Sequence, residues 1–383
     1  MPERLSELDR LRGIAVLGIL PVNIFLFGWP EGGGNTVPGE FLPTITDRII
    51  WGLVHLLFEQ KFINLLSLLF GIGIGLFAER HIDGTTGRHA RRMAALAGLG
   101  VLHAYLLWWG DILFVYALSG LLAWLALDRT PGVLLMLGLA LYAVPSAMLM
   151  LWLGLDAESL SSVFAPPDSD ALQTELELYR SGWWTQMQHR APLALVLQTD
   201  GLLSFSLWQT LGLMLIGLAA HRLGLLRRDS PLRQYAKVIV ALTLPLGLVL
   251  MALSLTGQLS AEPRQRHLAF QWQYWGSLCL TMAYLFGFLH WHARSARAVI
   301  GPAIRRLEAT GRLALSSYLL QTLICTLLFY GHGLGYFGHW NALQLVVTAG
   351  LIILLLLWLC PLWERHFGTG PMERLWRHLA HRH

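Results

Sequence analysis

Residues 91–122 read RRMAALAGLGVLHAYLLWWGDILFVYALSGLL. Two apolar runs meet at Trp108-Trp109-Gly110-Asp111, and each is about long enough to cross a bilayer core at roughly 1.5 Å per helical residue. The stretch reads as a membrane hairpin with a basic foot, Arg91-Arg92, and polar groups near its tip. His103 lies inside the first run and Asp111 sits at the joint. Such side chains are costly in hydrocarbon and face protein or a water-filled cavity. The rest of the chain reads as walls around this hairpin.

Composition agrees. Of 383 residues, 55% are hydrophobic and 13% charged, and the mean hydropathy is +0.53. These values fit a polytopic membrane protein. The net charge of +5 comes from arginines clustered between apolar runs, as in cytoplasmic loops. No zinc spacing or RNA-binding signature is present, which argues against nucleic acid. Cys279, Cys325 and Cys360 each fall inside an apolar run, giving no disulfide framework and no metal motif. The N-terminus, MPERLSELDRLRG, mixes acids with bases, and no small-residue cleavage site closes the next run, so that run is read as a span.

The expected fold is an all-α integral membrane bundle of one domain, residues 1–383, without a visible repeat. Its spans lie at about 11–27, 62–78, 93–109, 112–127, 133–153, 202–223, 237–255, 270–291, 313–330 and 343–362. Pro21 should kink the first. Interfacial helices are expected at Ile49–Glu59, at TELELYRSGWWTQMQ (residues 174–188) and in the tail GPMERLWRHLAHRH (residues 370–383). GIGIG at Gly71–Gly75 permits close helix contact and lacks the strand context of a phosphate loop. With both termini cytoplasmic, all but six of the 28 lysines and arginines fall inside; Arg48, Lys61, Arg180, Arg190, Arg264 and Arg266 are the exceptions. So strong a bias supports ten spans in this orientation.

Several polar residues suit chemistry, each with a plainer alternative. His103 lies seven residues before Gly110, about 10 Å deep, with Tyr116 at similar depth on the returning run. A neutral imidazole there suits a general base; otherwise it ties helices together. Asp111 suits orienting His103, pairing with Lys61, or capping the next helix. Lys61 and Glu59 read as a functional or a solvated interfacial pair, and His55 is a second histidine candidate. Asp9, Arg10, Arg12, Arg91 and Arg92 gather at the feet of the first and third spans. Arginine forks there suit the phosphates of coenzyme A, or serve topology alone. Asn23 suits an oxyanion donor, or satisfies the carbonyl freed by Pro21. Tyr318 and Gln321, one turn apart, read as helix glue or cavity lining on the acceptor side. Trp108 and Trp109 read as an interfacial belt, and the basic tail as an attachment to anionic lipid.

The ordered blocks LDRLRGIAVLGILPVNIF, FEQKFINLLSLLFGIGIGLF, the hairpin and the ending GRLALSSYLLQTLICTLLFYGHGLGYFGHW…GPMERLWRHLAHR resemble the YeiB-like family of bacterial inner-membrane proteins, defined by a domain of unknown function. The departures are Leu66 where Phe is usual, Arg374 in the final block, and HLAHRH in place of the usual LTYG. The resemblance implies a multi-pass protein of the bacterial inner membrane. It implies, more distantly, a relation to transmembrane acyltransferases such as heparan glucosaminide acetyltransferase, a fold-level analogy. Three functions follow as expectations. The first is an acyltransferase moving an acyl (acetyl) group from cytoplasmic acyl-CoA to a lipid-side or periplasmic hydroxyl or amine. The second is a transporter or flippase for a small solute or lipid-linked group, although such folds often show two related halves. The third is a scaffold. Membrane lipids, acyl-CoA and an acceptor of open identity are the expected partners; a homodimer is left open, and no metal is expected.

Overall fold

A computed structural model describes residues 2–30, 42–80, 85–155, 169–227, 230–260, 262–294 and 301–381. Among the described residues every regular element is a helix. The first half comprises α1 (Pro2–Gly28), α2 (Ile45–Leu57), α3 (Lys61–Arg80), α4 (Thr85–Leu106), α5 (Leu113–Trp124), α6 (Pro131–Leu155) and α7 (Ser169–Arg180). Next, α8 (Trp183–Gly201) passes through a π segment (Leu202–Ser206) into α9 (Leu207–Arg222), followed by the short α10 (Pro231–Gln234). The rest comprises α11 (Ala236–Gln258), α12 (Pro263–Arg294), α13 (Pro302–Arg312), α14 (Ala314–Phe329), α15 (Ala342–Phe367) and α16 (Pro371–His381).

Among the described residues six helical stretches are long and apolar enough to cross a membrane: Ser6–Gly28, Ile45–Glu79 across the α2–α3 break, Pro131–Trp152, Trp183–Arg222, Ala236–Gln258 and Ala342–Phe367. Counting α13 and α14, bent by 87°, as one adds a seventh. The segments expected near 93–109, 112–127 and 270–291 are helical but shorter or more polar, for local reasons. The first turns of α4 carry Arg88, Arg91 and Arg92, α5 has only 12 residues, and α12 interrupts its apolar residues with Gln271, Gln273, Tyr274, Trp275, Ser277, Tyr284 and His290.

Small residues set the helix spacing. A Cβ on Gly71 would lie 2.0 Å from the Met214 carbonyl oxygen, and one on Gly217 2.1 Å from that of Leu68. These two glycines therefore let α3 and α9 touch backbone to backbone, as small residues do in membrane bundles. Gly75 backs onto His221 of α9, whereas Gly73 faces Arg12 of α1. Gly311 brings α13 against α1 at Asp9.

Three expectations need correction. The outer amphipathic segment is two helices, broken at Ser181-Gly182, and the second continues into the next apolar run. The helix before α3 starts at Ile45, four residues earlier than Ile49, because the Thr44 hydroxyl caps it by accepting from Asp47 N at 3.1 Å. Trp108 is no surface belt residue: it is 1% exposed and packs on Phe27 at 4.1 Å between ring centroids.

Candidate functional site

The turn between α4 and α5 folds Asp111 back onto α4. Asp111 Oδ2 accepts from Phe114 N at 2.8 Å and so caps α5, while Oδ1 lies 2.8 Å from His103 Nδ1. Capping and pairing with histidine therefore coexist in one carboxylate. Gly100, one turn before His103, makes room: a Cβ there would lie 2.4 Å from Phe114 N and 2.7 Å from Asp111 Oδ2. Because a carboxylate oxygen accepts, Nδ1 carries the proton, as the hydrogen-bond network assigns it. The Nε2 lone pair then accepts from the Thr322 hydroxyl at 3.0 Å. Both side chains of the pair are 1% exposed. Buried Arg190 of α8 donates to the carbonyls of Leu106 and Leu107, holding the C-terminal end of α4. Among the described residues Trp108 Nε1 is buried without a partner.

Below this pair lies a cavity of about 290 Å³. Arg12, His89, Arg92, Arg312, Glu373 and Trp376 line one end, and Ile112, Tyr116 and Tyr318 the other, with Phe70, Leu96 and Leu315 between. Arg12 and Arg312 are 31% and 37% exposed, so the arginine end reaches solvent. At the other end the Tyr318 ring stands 5.2 Å from the His103 ring and its hydroxyl donates to the Gly110 carbonyl at 3.1 Å. Tyr318 is thus the wall between cavity and histidine; neither His103 nor Asp111 lines the cavity. Tyr116 donates to the Ile63 carbonyl at 3.1 Å and shares a 2.8 Å hydrogen bond with Ser67. Burial, and then the Arg12 charge, lower the Arg92 guanidinium to about 10. Two like charges facing one cavity favour an anion between them.

The basic cluster divides. Arg12 pairs with Asp9 at 3.1 Å and still lines the cavity, as does Arg92. Arg10 turns to Glu308 of α13 at 3.1 Å, and Arg91 is exposed beside the cavity foot and does not line it. Gln321 donates to the Val16 carbonyl at 3.1 Å, bracing α1 near its proline. Asn23 makes no side-chain hydrogen bond among the described residues and does not line the cavity, so it does not satisfy the carbonyl freed by Pro21.

His55, Glu59 and Lys61 form a separate buried network at the α2–α3 break, where Gln60 adopts φ +62°. His55 Nδ1 is 2.5 Å from Glu59 Oε2, and its Nε2 is 3.1 Å from Ser254 Oγ. Gln273 donates to Glu59 at 2.6 Å. Lys61 is 0% exposed and donates to the His55 carbonyl at 2.7 Å and to Met251 Sδ at 3.3 Å. The solvated-pair reading fails, and Lys61 does not meet Asp111. Sequence reasoning missed Thr322, Arg312, Glu373 and Trp376. The last two lie in the GPMERLWR block, which the sequence offered only as part of the family resemblance and as a basic amphipathic tail.

No solved structure matches the chain. A family model described as "Protein of unknown function (DUF418)" matches residues 220–383. YxaH of Bacillus subtilis is 29% identical, over 98% of this chain and 94% of that protein. A 39.9 kDa protein of Bacillus acidopullulyticus is 36% identical over 32% of this chain and 34% of its own. YeiB of Escherichia coli K12 is 34% identical over 99% of this chain and 96% of its own. With that likeness running from end to end, the chain belongs to the YeiB-like, DUF418 family.

Proposed function

We propose that this protein is a membrane acyltransferase that moves an acyl group, acetyl in the simplest case, from acyl-CoA to a hydroxyl or amine acceptor. The observation that carries the proposal is the His103–Asp111 pair, buried behind the Tyr318 wall of a cavity whose far end holds Arg12, Arg92 and Arg312. The CoA phosphates sit on Arg12 and Arg92, and the thioester arm runs past Leu96 and Leu315 toward Tyr116. His103 Nε2, released by Thr322, takes the proton of the acceptor as its oxygen or nitrogen attacks the thioester carbonyl. The tetrahedral intermediate collapses, the carbon–sulfur bond breaks, and the thiolate leaves with the proton returned by the imidazolium. Asp111 stabilises that imidazolium. Turning Tyr318 aside joins the cavity to the histidine.

The proposal includes ten spans with both termini cytoplasmic, in the bacterial inner membrane. It counts α1, α3, α4, α5, α6, α8–α9, α11, α12, α14 and α15, which puts the arginine end of the cavity on the cytoplasmic side where acyl-CoA resides. The test is calorimetric binding of acetyl-CoA and free coenzyme A to purified protein, with Arg12→Ala and Arg92→Ala alongside, followed by acetyl transfer with His103→Ala. Saturable binding weakened by both arginine changes supports the reading. A folded His103→Ala protein with full transfer ends it.

The His55–Glu59–Lys61 network supports a second reading, a transporter. Ionisable residues at a broken helix inside a bundle mark solute or ion paths in such proteins. Solute counterflow in proteoliposomes without a covalent product, lost in Lys61→Gln, favours it.

A further inference from the structure

The tail helix α16 has two faces with different work. Its inner face is sewn to the cavity. Glu373 accepts from Ser316 N at 3.0 Å and from the Ser316 hydroxyl at 2.5 Å, and that hydroxyl accepts in turn from Met372 N at 3.0 Å. Trp376 Nε1 donates to the Arg92 carbonyl at 2.7 Å. The Arg92 guanidinium lies between the rings of Phe77 and Trp376, 4.2 and 4.9 Å from their centroids. Glu373 and Trp376 are cavity lining. The outer face carries Arg374, Arg377 and His378, all exposed, beside Leu375 and Leu379, each 41% exposed. Glu373, the acid of this helix, points inward, so the described outward face bears no acid. Basic side chains flanking apolar ones on an exposed helix fit an anionic lipid surface: leucines enter the acyl boundary and arginines meet phosphates. Phe367, 57% exposed, continues the apolar strip into the end of α15. The connection is a tight turn through Gly368 (φ +72°), and Arg374 closes it by donating to the Phe367 carbonyl at 2.9 Å.

We propose that α16 docks on anionic phospholipid headgroups, and that this docking holds Glu373 and Trp376 in place as the movable wall of the cavity. Membrane charge then governs entry to the cavity. The wall is a single helix, held at its inner face by the Ser316 and Arg92 contacts and by Met372 and Trp376 packed on the core, and its outer face adds the lipid contact. Each arginine near an anionic surface shifts the equilibrium by about fivefold, and two by about thirtyfold. The inference rests on the membrane location and on the cavity geometry, and not on the identity of the donor that the cavity takes.

The test places a cysteine in the cavity, Leu315→Cys, and measures its reaction with a charged maleimide in nanodiscs. Protein without that change gives the baseline from buried Cys325 and Cys360 and half-buried Cys279. One set of discs is zwitterionic and the other contains phosphatidylglycerol. Labelling is expected to be about tenfold or more slower in anionic discs. In Arg377→Gln/His378→Gln, which gives up only a 3.4 Å contact from Arg377 to the Glu373 carbonyl of its own helix, the difference between the two lipids falls about fivefold, and high salt brings the two parent rates together. Arg374→Gln adds a further step only if its lost turn contact leaves the thermal midpoint unchanged. Equal rates in both lipids overturn the proposal. So does a lipid effect that is undiminished in the double variant, since the charge is then sensed elsewhere. No ligand is used, so failure of the acyl-CoA reading leaves this result standing. Failure to enter discs at all indicts the membrane reading instead.

Discussion

Asp111→Asn separates the structural role of this carboxylate from its chemical one. In the native turn the Phe114 and His103 N–H groups each reach a different oxygen of Asp111, both at 2.8 Å. Asparagine has one oxygen, so its amide must turn an NH2 toward one of them. A backbone N–H cannot change, whereas imidazole can move its proton, so the oxygen goes to Phe114 and the NH2 to His103. His103 Nδ1 then accepts, Nε2 carries the proton, and Thr322 becomes the acceptor. Every hydrogen bond survives, and only charge assistance is lost, about 1 kcal/mol. The proton-accepting nitrogen, however, no longer faces Thr322, and a base in the wrong tautomer loses about 10⁴-fold in rate. Asp111→Ala instead strands two buried donors, at about 1–3 kcal/mol each. Denaturant titration in mixed micelles should therefore rank Asn close to wild type and Ala well below it. ¹⁵N shifts of labelled histidine should show the tautomer change in Asn. Equal destabilisation by Asn and Ala, or acetyl transfer by Asn within tenfold of wild type, would refute the reasoning.

Arg12→Gln and Arg92→Gln should each weaken coenzyme A binding by about 10- to 100-fold, the worth of a charge-assisted hydrogen bond, as read by calorimetry. Gly71→Ala should destabilise by about 1–3 kcal/mol, because its Cβ would overlap the Met214 carbonyl and force α3 from α9. Gly350→Ala in α15, with open space around it, should be neutral or stabilise by up to about 1 kcal/mol; thermal unfolding ranks the pair. Arg190→Met should cost about 1–3 kcal/mol by leaving the Leu107 carbonyl without its donor, while Trp183 Nε1 still donates to that of Leu106 at 3.0 Å. Hydrogen exchange should then rise at the end of α4.

What was legible in the sequence followed from local rules. The hairpin, with histidine in one run and a Gly-Asp joint, places His103 and Asp111 within reach because both sit near one turn. GIGIG announced a backbone contact, since close packing has few other residues to use. The α2–α3 pair was legible from length, but the burial of Lys61 was not: Met251, which Lys61 meets, and Ser254 and Gln273, which meet His55 and Glu59 beside it, lie some 200 residues away. Thr322 escaped for the same reason, as a threonine in an apolar run carries no pattern. Asp9-Arg10-Arg12 looked like one cluster, yet helical rotation sends Arg10 to Glu308 and Arg12 to the cavity.

The cavity also explains why no single block of the sequence contains the site. One wall comes from Arg12 of α1, Phe70 and Gly73 of α3, Arg92 of α4 and Tyr116 of α5. The other comes from Arg312 of α13, Tyr318 of α14 and Trp376 of α16. The family model, matching residues 220–383, contains only the second wall, without His103, Asp111, Arg12 or Arg92. Any chemistry that needs both walls is therefore shared only with relatives matched from end to end, and a partial match to the C-terminal part carries no claim on it. That sets the order of comparison: a relative belongs with this chain in function when it aligns across the α4–α5 hairpin as well as across α16.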